Sequence, residues 1–266
     1  MTPLSRSGTK GLAGWMSALR LFVVLLGLSL AGCASGPRAN PADPLEPFNR
    51  SMYKFNDVVD RNVLKPVATV YQDVTPSLVR RGVSNFFGNI QDAWSFVNNV
   101  LQLKGEAATS SFMRFGINTF LGFGGILDWA SEMKLERYPE DFGQTLGRWG
   151  VGAGPYVVLP LLGPSTLRDS LALPVEFKGD LVNQIDDVAV RTTLHGVRVL
   201  DKRAALLKAE TVLEEAALDK YAFIRDAFMQ RRRNAVYDGN PPDEEPEEMP
   251  EAAPEAAPAV PVEAPK

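Results

Sequence analysis

The chain of 266 residues carries 28 Lys and Arg against 32 Asp and Glu, with one His and one Cys. A lone thiol and a lone imidazole exclude an internal disulfide and a typical structural or catalytic zinc site. Residues 240–266 hold eight acids against Lys266 alone, while Cys33 to Gly239 is balanced at 24 charges of each sign; no basic excess points to nucleic acid.

The N-terminus places Arg6, Lys10 and Arg20 before an apolar run from Leu21 to Leu28, then Ser29-Leu30-Ala31-Gly32-Cys33. A positive region, a short apolar region and small residues at a cleavage point are the parts of a secretory signal. The run is too short to span a bilayer, which needs about 20 apolar residues. Leu30-Ala-Gly-Cys33 resembles a lipobox, so cleavage is expected before Cys33, with diacylglycerol on its thiol. Met16 is an alternative start that leaves a tighter signal. Ala34, rather than Asp, follows the cysteine, which by the lipoprotein sorting rule directs the product to the outer membrane. The expected organisation is a signal peptide over 1–32, a lipidated linker over 33–42 and a single domain over 43–239. Residues 240–266 form a Pro/Glu/Ala-rich tail, too poor in apolar bulk to fold and therefore expected to be disordered.

Within the domain the pattern is helical. Asp43-Pro44-Leu45-Glu46 predicts an acidic N-cap, a proline at the first helical position and a capping-box glutamate. Phe48, Met52, Phe55, Val59 and Val63 then share one face. Pro66 and Pro76 punctuate the chain, and Phe87, Ile90, Trp94, Val97 and Leu101 repeat at helical spacing over 84–102. The last long element runs from about Ile185 to Arg233, broken near Asp219, which is placed to cap a final helix. Strand alternation is scarce, so the expected class is all-α with irregular Gly/Pro-rich connections.

Two segments are too apolar for ordinary soluble helices. Phe112 to Leu127 has Arg114 as its only charge, a pattern that is buried on all sides or meets lipid. Trp149 to Leu167 has no charge over nineteen positions, yet Pro155, Pro160 and Pro164 forbid a regular helix. Broken backbone at membrane depth is tolerated only where protein buries it or where it lines a cavity. The segment reads either as a buried loop in a soluble core or as an apolar loop beside a cavity.

Catalytic chemistry is missing from the pattern. His195 reads as an ordinary exposed or half-buried helix residue, and no Gly-x-Ser-x-Gly elbow accompanies it. Gly163-Pro-Ser165 is the nearest approach, better explained as an apolar loop. Gly122-Phe-Gly124-Gly125 lacks the spacing and the strand of a nucleotide loop. Arg231-Arg232-Arg233 is expected to complement the negative end of a helix. Neither enzyme activity nor a cofactor is expected.

The chain resembles the MlaA/VacJ lipoproteins through Asp43-Pro-Leu-Glu-Pro-Phe-Asn-Arg50, Tyr53-Lys-Phe-Asn56, Asn85-Phe-Phe-Gly-Asn89 and Arg114-Phe-Gly-Ile-Asn-Thr119. The resemblance continues through Glu140-Asp-Phe-Gly-Gln-Thr-Leu-Gly147, Gly150-Val-Gly-Ala-Gly-Pro-Tyr156, Leu159-Pro-Leu-Leu-Gly-Pro-Ser165, Arg168-Asp169 and Tyr221-Ala-Phe-Ile-Arg-Asp226. Lys220 departs from it, since many relatives carry proline there. It implies a ring-shaped helical domain embedded in the periplasmic-facing leaflet of the outer membrane. The implied function is to remove phospholipid misplaced in the outer leaflet through an amphipathic channel, preserving lipid asymmetry. The implied partners are phospholipids, a trimeric outer-membrane porin and a soluble periplasmic lipid carrier. A non-transporting envelope scaffold or tether is the alternative.

Cys33 is the expected lipid-attachment residue. On this reading Gly150, Gly152, Gly154 and Pro155 are a candidate channel gate or hinge. Tyr156, Val157, Val158, Leu159, Leu161 and Leu162 are a candidate lipid-contacting loop. Phe55 and Asn56 are candidates for control of the resting state.

Overall fold

The computed structural model describes residues 43–242; the signal peptide, Cys33, the linker and the tail beyond 242 lie outside the described residues. Helix α1 (Glu46–Val59) passes through a π-turn (Asp60–Leu64) directly into α2 (Lys65–Val74). Pro66 explains the π-turn. Its missing N–H and its ring disrupt the preceding α-helical turn, and the wider turn absorbs this, with Lys65 N–H bonding back to Asp60 O. Thus Pro66 marks a change of helical pitch, whereas Pro76 separates α2 from α3 (Ser77–Leu101).

Helices α3 and α4 (Gly105–Phe120) pack as a hairpin, followed by the short α5 (Trp129–Glu132) and by α6 (Phe142–Arg148). A two-stranded antiparallel hairpin comes next, β1 (Tyr156–Leu159) with β2 (Gly163–Thr166), in the register Tyr156↔Thr166 to Leu159↔Gly163. The remaining elements are α7 (Leu167–Gly179), a 3₁₀ turn (Leu181–Gln184), α8 (Val188–Ala216) and α9 (Lys220–Val236). The expected break is present: Asp219 caps α9 by accepting from Tyr221 N and Ala222 N. The domain is helical as expected, but part of the proline-rich segment is a hairpin rather than irregular loop. Asp43 is also displaced from its expected role. Leu45 holds the N-cap position of α1 without a side-chain bond, and Asp43 is buried against Asn49 and Tyr221.

Contacts run in a closed circuit: α1 to β1, the hairpin to α7, then α6, α3, α8 and α2, which returns to α1 through the π-turn. This ring has an inverted interior. Along α3 and its C-cap the buried residues are mostly polar, Asn89, Asp92, Ser95, Asn98, Asn99 and Gln102, and the helix supplies little apolar core besides Phe87. Their spacing is that of an amphipathic stripe, but the buried stripe is the polar one. From α4 the groups facing it include Ala107, Ser111, Arg114 and Asn118. Meanwhile Phe48, Phe55 and Val63, read as a shared apolar face, stand exposed, as do Val97 and Leu101. Among the described residues no helix is long and apolar enough to cross a membrane.

Arg114 shows why the inverted interior holds. Its side chain is 1 % exposed. Its guanidinium donates to Asp92 (3.3 Å), Leu135 O (2.6 Å), Ser131 Oγ (3.2 Å) and both oxygens of Asp128 (2.9 and 3.0 Å). A buried charge is tolerated only when paired and fully hydrogen-bonded. Asn118 completes the cluster, donating to Asp128 at 2.9 Å and accepting from Ala130 N at 2.9 Å.

Candidate functional site

The ring encloses a cavity of about 1080 Å³, walled by α3, α6, the hairpin, α7, α8 and α9. One part of its lining is apolar, from Phe87, Ile90 and Trp94 on α3, Leu162 and Pro164 on the hairpin, and Phe177 and Phe228 on α7 and α9. The first part of the apolar stripe of α3 therefore faces a cavity instead of a packed core, and Val97 and Leu101 continue it onto the exposed surface. Close packing against that stripe needs a glycine: a Cβ on Gly179 would sit 2.3 Å from the Trp94 ring.

The other part of the lining is charged. Arg232 donates to both oxygens of Asp141 (2.5 and 2.6 Å) and to Asp169 (2.7 Å), joining α9 to α6 and α7. The guanidinium holds Asp169 below the usual carboxylate range, although burial opposes it. Of the three arginines, Arg233 lies in the last turn of α9 as expected, whereas Arg232 is turned to clamp two other helices. Arg198 forks onto Asp180 and stacks over Phe87, 4.9 Å from the ring centroid. Glu176 accepts from Trp94 Nε1 (2.7 Å) and from Phe142 N, and burial pushes its carboxyl up.

His195 is a half-buried residue of α8, as expected. It lines the same cavity, lies 2.8 Å from Asn183 Oδ1 through Nε2, and stacks on Phe177. With Arg198 and Lys202 it forms one cavity-facing row on α8. The spacing of three and four residues was visible in the sequence, but nothing there showed that this face meets a cavity.

The hairpin partitions this cavity from a smaller one of about 460 Å³, lined by Tyr53, Asn56, Tyr156, Val158, Leu206, Phe223 and other residues of α1, α8 and α9. Pro164 borders both. At the edge of the smaller cavity, Arg203 donates twice to Asp60 at 2.7 Å and once to Glu210 at 2.6 Å, tying α8 to the π-turn.

Two asparagines hold the hairpin. Asn49 donates to Tyr156 O (2.9 Å) and accepts from Val158 N (2.9 Å); Asn56 donates to Leu159 O (2.9 Å) and accepts from Leu161 N (2.8 Å). Both lie on the face of α1 toward β1, so the helix supplies the hydrogen bonds that a third strand would give. The proposed resting-state residues thereby separate: Asn56 holds the hairpin turn, while Phe55 points to an exposed surface.

The proposed loop also divides. Tyr156 and Val158 are buried in a cluster with Tyr221 and line the smaller cavity instead of the outer surface. Period-two alternation sends them inward and leaves Val157 and Leu159 half-buried. Leu161 and Leu162 at the turn are exposed, at 67 % and 70 %. Of the candidate hinge glycines, Gly150 (φ 92°) and Gly154 (φ 67°) have left-handed backbone, the region that glycine enters most freely, and Gly152 does not. The far end of this segment is fastened to α7 by Leu167 N donating to Pro155 O at 3.0 Å and Arg168 N to Ala153 O at 3.1 Å.

A family model described as MlaA lipoprotein matches residues 41–235. Over 229 residues the chain is 39 % identical to the intermembrane phospholipid transport system lipoprotein MlaA of Shigella flexneri and to that of Escherichia coli (strain K12), with 80 % of this chain and 87 % of each relative covered. The MlaA of Haemophilus influenzae is 33 % identical over 238 residues, covering 82 % of this chain and 90 % of the relative. A solved structure, described as a structural basis for maintenance of bacterial outer membrane lipid asymmetry, superposes with a TM-score of 0.65 at 37 % identity. It covers 74 % of this chain and 99 % of that one.

Proposed function

The chain belongs to the MlaA lipoprotein family, and from that premise we infer that it is an intermembrane phospholipid transport lipoprotein that maintains the lipid asymmetry of the bacterial outer membrane. It is anchored through lipid on Cys33 and lies in the periplasmic-facing leaflet. Phospholipid misplaced in the outer leaflet enters the central cavity and leaves toward a soluble periplasmic carrier, with a trimeric porin beside the ring.

The observation that carries this reading is the divided cavity wall inside an inverted ring. Charged groups on α6, α8 and α9 offer a path for a polar headgroup, and the aromatic stripe of α3 with Phe177 and Phe228 offers one for acyl chains. A headgroup dragged through apolar surroundings without partners loses several kcal/mol, which a polar wall avoids. No bond need be broken. The apolar residues on the outside of the ring suit acyl chains better than water.

The hairpin is the gate. It stands between the two cavities, is flanked by the left-handed Gly150 and Gly154, and is held by Asn56 at its turn. Leu161 and Leu162 are its lipid-contacting residues. Transport is tested by surface-exposed phospholipid in a strain lacking the gene, complemented with wild type or with Cys33→Ala. The deletion is expected to raise surface phospholipid and wild type to restore it; no rise would overturn the reading. The gate is tested by crosslinking Asn56→Cys on α1 to Leu161→Cys at the hairpin turn, two positions joined in the structure by the Leu161 N to Asn56 bond, which should leave surface phospholipid high until the crosslink is cleaved. Unchanged asymmetry in the crosslinked state would exclude a moving hairpin.

A further inference from the structure

The transport path runs through the central cavity and leaves the smaller one, of about 460 Å³, without an assigned content. Its volume lies within the range of about 300–1,000 Å³ common for small-ligand sites. Tyr53, Tyr156, Val158, Leu206, Phe223 and Ile224 give it an apolar wall. Leu206 and Phe223 are exposed, so it opens to the outside along α8 and α9. The acidic groups at its edge are neutralised within the protein, Asp60 and Glu210 by Arg203, and Asp57 by Arg61 at 3.0 Å. An edge neutralised in this way favours an uncharged hydrocarbon chain over a charged group.

The described chain begins against the wall of this cavity. Asp43 is buried, its carboxylate accepting from Tyr221 Oη and from Asn49 Nδ2 at 2.9 Å, and the same Asn49 nitrogen donates to Tyr156 O. Tyr53 and Tyr156, both in the cavity wall, pack against the Tyr221 ring with centroids 5.8 and 6.3 Å away. Asp43 thus fastens the start of the domain one aromatic ring from the cavity. Residues 33 to 42 connect it to Cys33, a stretch that reaches at most roughly 33–36 Å. A lipid on Cys33 is therefore tethered within reach of the opening, at an effective concentration of roughly millimolar.

We propose that the smaller cavity houses one acyl chain of the lipid carried on Cys33. The proposal rests on the lipidation of Cys33 and gives that lipid a second role. Tyr156, Val158, Gly163 and Pro164 of the hairpin all line the cavity, so a chain lying there supports the hairpin on the side away from the central cavity. It also keeps water from the apolar wall. The exposed apolar exterior of the ring stays against the membrane, so one chain can leave the bilayer without releasing the protein.

The test grows cells on a fatty acid bearing a photoreactive diazirine, irradiates intact envelopes and maps the purified full-length lipoprotein by peptide mass spectrometry. A peptide containing Leu206 or Phe223 should be joined to the peptide that carries Cys33. Leu206→Trp fills the cavity from an exposed position. It should abolish the joined pair while the mass of the Cys33 lipid and the thermal midpoint stay as in wild type. Ala209→Phe, at a second exposed lining position, carries the same comparison if Leu206→Trp does not fold. Phospholipid attached at Leu206 and Phe223 in place of the Cys33 peptide would make a free lipid the occupant and overturn the assignment. No adduct in the cavity, or a joined pair that survives the filling variant, would also overturn it and leave the lipidation of Cys33 standing. An unmodified Cys33 mass would remove the lipidation reading itself, and the proposal with it, which separates the two failures.

Discussion

Asn49 and Asn56 stand two helical turns apart on α1, and each closes a two-point hydrogen-bonded bridge onto the backbone of the β1 segment. The bridges differ in burial. Asn49 is fully buried, whereas the Asn56 bridge reaches the exposed turn at Leu161. Removing Asn49 leaves a buried carbonyl and a buried N–H without partners; removing Asn56 lets water replace most of what is lost. Asn49→Ala should therefore cost about 3 kcal/mol, and Asn56→Ala about 1 kcal/mol. Denaturant melts would give both values. Hydrogen exchange at Leu161 should accelerate in Asn56→Ala without accelerating at Val158, and equal acceleration at both would show that the hairpin opens only as a unit.

The Arg114 cluster should be the most sensitive point of the α3–α4 hairpin. Arg114→Leu leaves Asp92 beside Arg137 alone and removes the main cationic partner of Asp128. Breaking a buried pair from one side costs about 3–5 kcal/mol, because the remaining charge is stranded. Replacing Arg114 and Asp128 together, as Leu and Asn, should be less harmful than the sum of the single changes. A double-mutant cycle by thermal or denaturant unfolding measures the difference, and strict additivity would mean the two do not share one network.

Acid sensitivity follows from the same cluster. Burial raises the Asp128 pKa, but hydrogen bonds from Ser131 and Asn118 and the Arg114 charge outweigh it, bringing the carboxyl from 3.8 to about 2. A depressed folded-state pKa gives stability that is present above 3.8 and lost as pH falls toward 2. Asp169 and Asp180 act in the same direction. Asp92, Glu140 and Glu176 act oppositely: burial raises them, so falling pH relieves their charge before the first group begins to lose its contribution. Stability should hold through mild acid and drop below pH 3.8. Asp128→Asn should make that drop shallower, as read by unfolding experiments across the range; an unchanged slope would mean Asp128 takes up no proton on unfolding.

Helix ends were readable wherever the signal was local. Asp219 before the last helix and Pro76 before α3 act through neighbours within one turn. Asp43 failed as a cap because Tyr221, 178 residues away, engages its carboxylate. The hairpin was hidden for a similar reason. Pro155 and Pro160 bracket β1, Pro164 lies within β2, and the groups that hold β1 are Asn49 and Asn56, more than one hundred residues earlier. Periodicity revealed the apolar face of α1 and the apolar stripe of α3 correctly as faces. It could not reveal which face is inside, because that depends on whether water, lipid or a cavity lies opposite. The row His195, Arg198 and Lys202 was legible as spacing and illegible as a site for the same reason.

The exposed apolar residues at the end of α4 and just beyond it separate two explanations, contact with lipid and a weak core. Phe120 is 86 % exposed and Phe123 77 % exposed. Phe123 also has φ 51°, unusual for an aromatic residue. Side chains so exposed contribute little to packing, so Phe120→Ser and Phe123→Ser should each change folding stability by less than about 0.5 kcal/mol. In contact with acyl chains, each phenyl ring is worth about 1.5–3 kcal/mol of transfer from water. The double variant should therefore leave the thermal midpoint nearly unchanged while lowering partition onto phospholipid vesicles at least tenfold. Sedimentation with vesicles and a parallel thermal melt separate the two effects. A large drop in midpoint with unchanged vesicle binding would place these rings in the protein's own packing and leave the membrane to other parts of the ring.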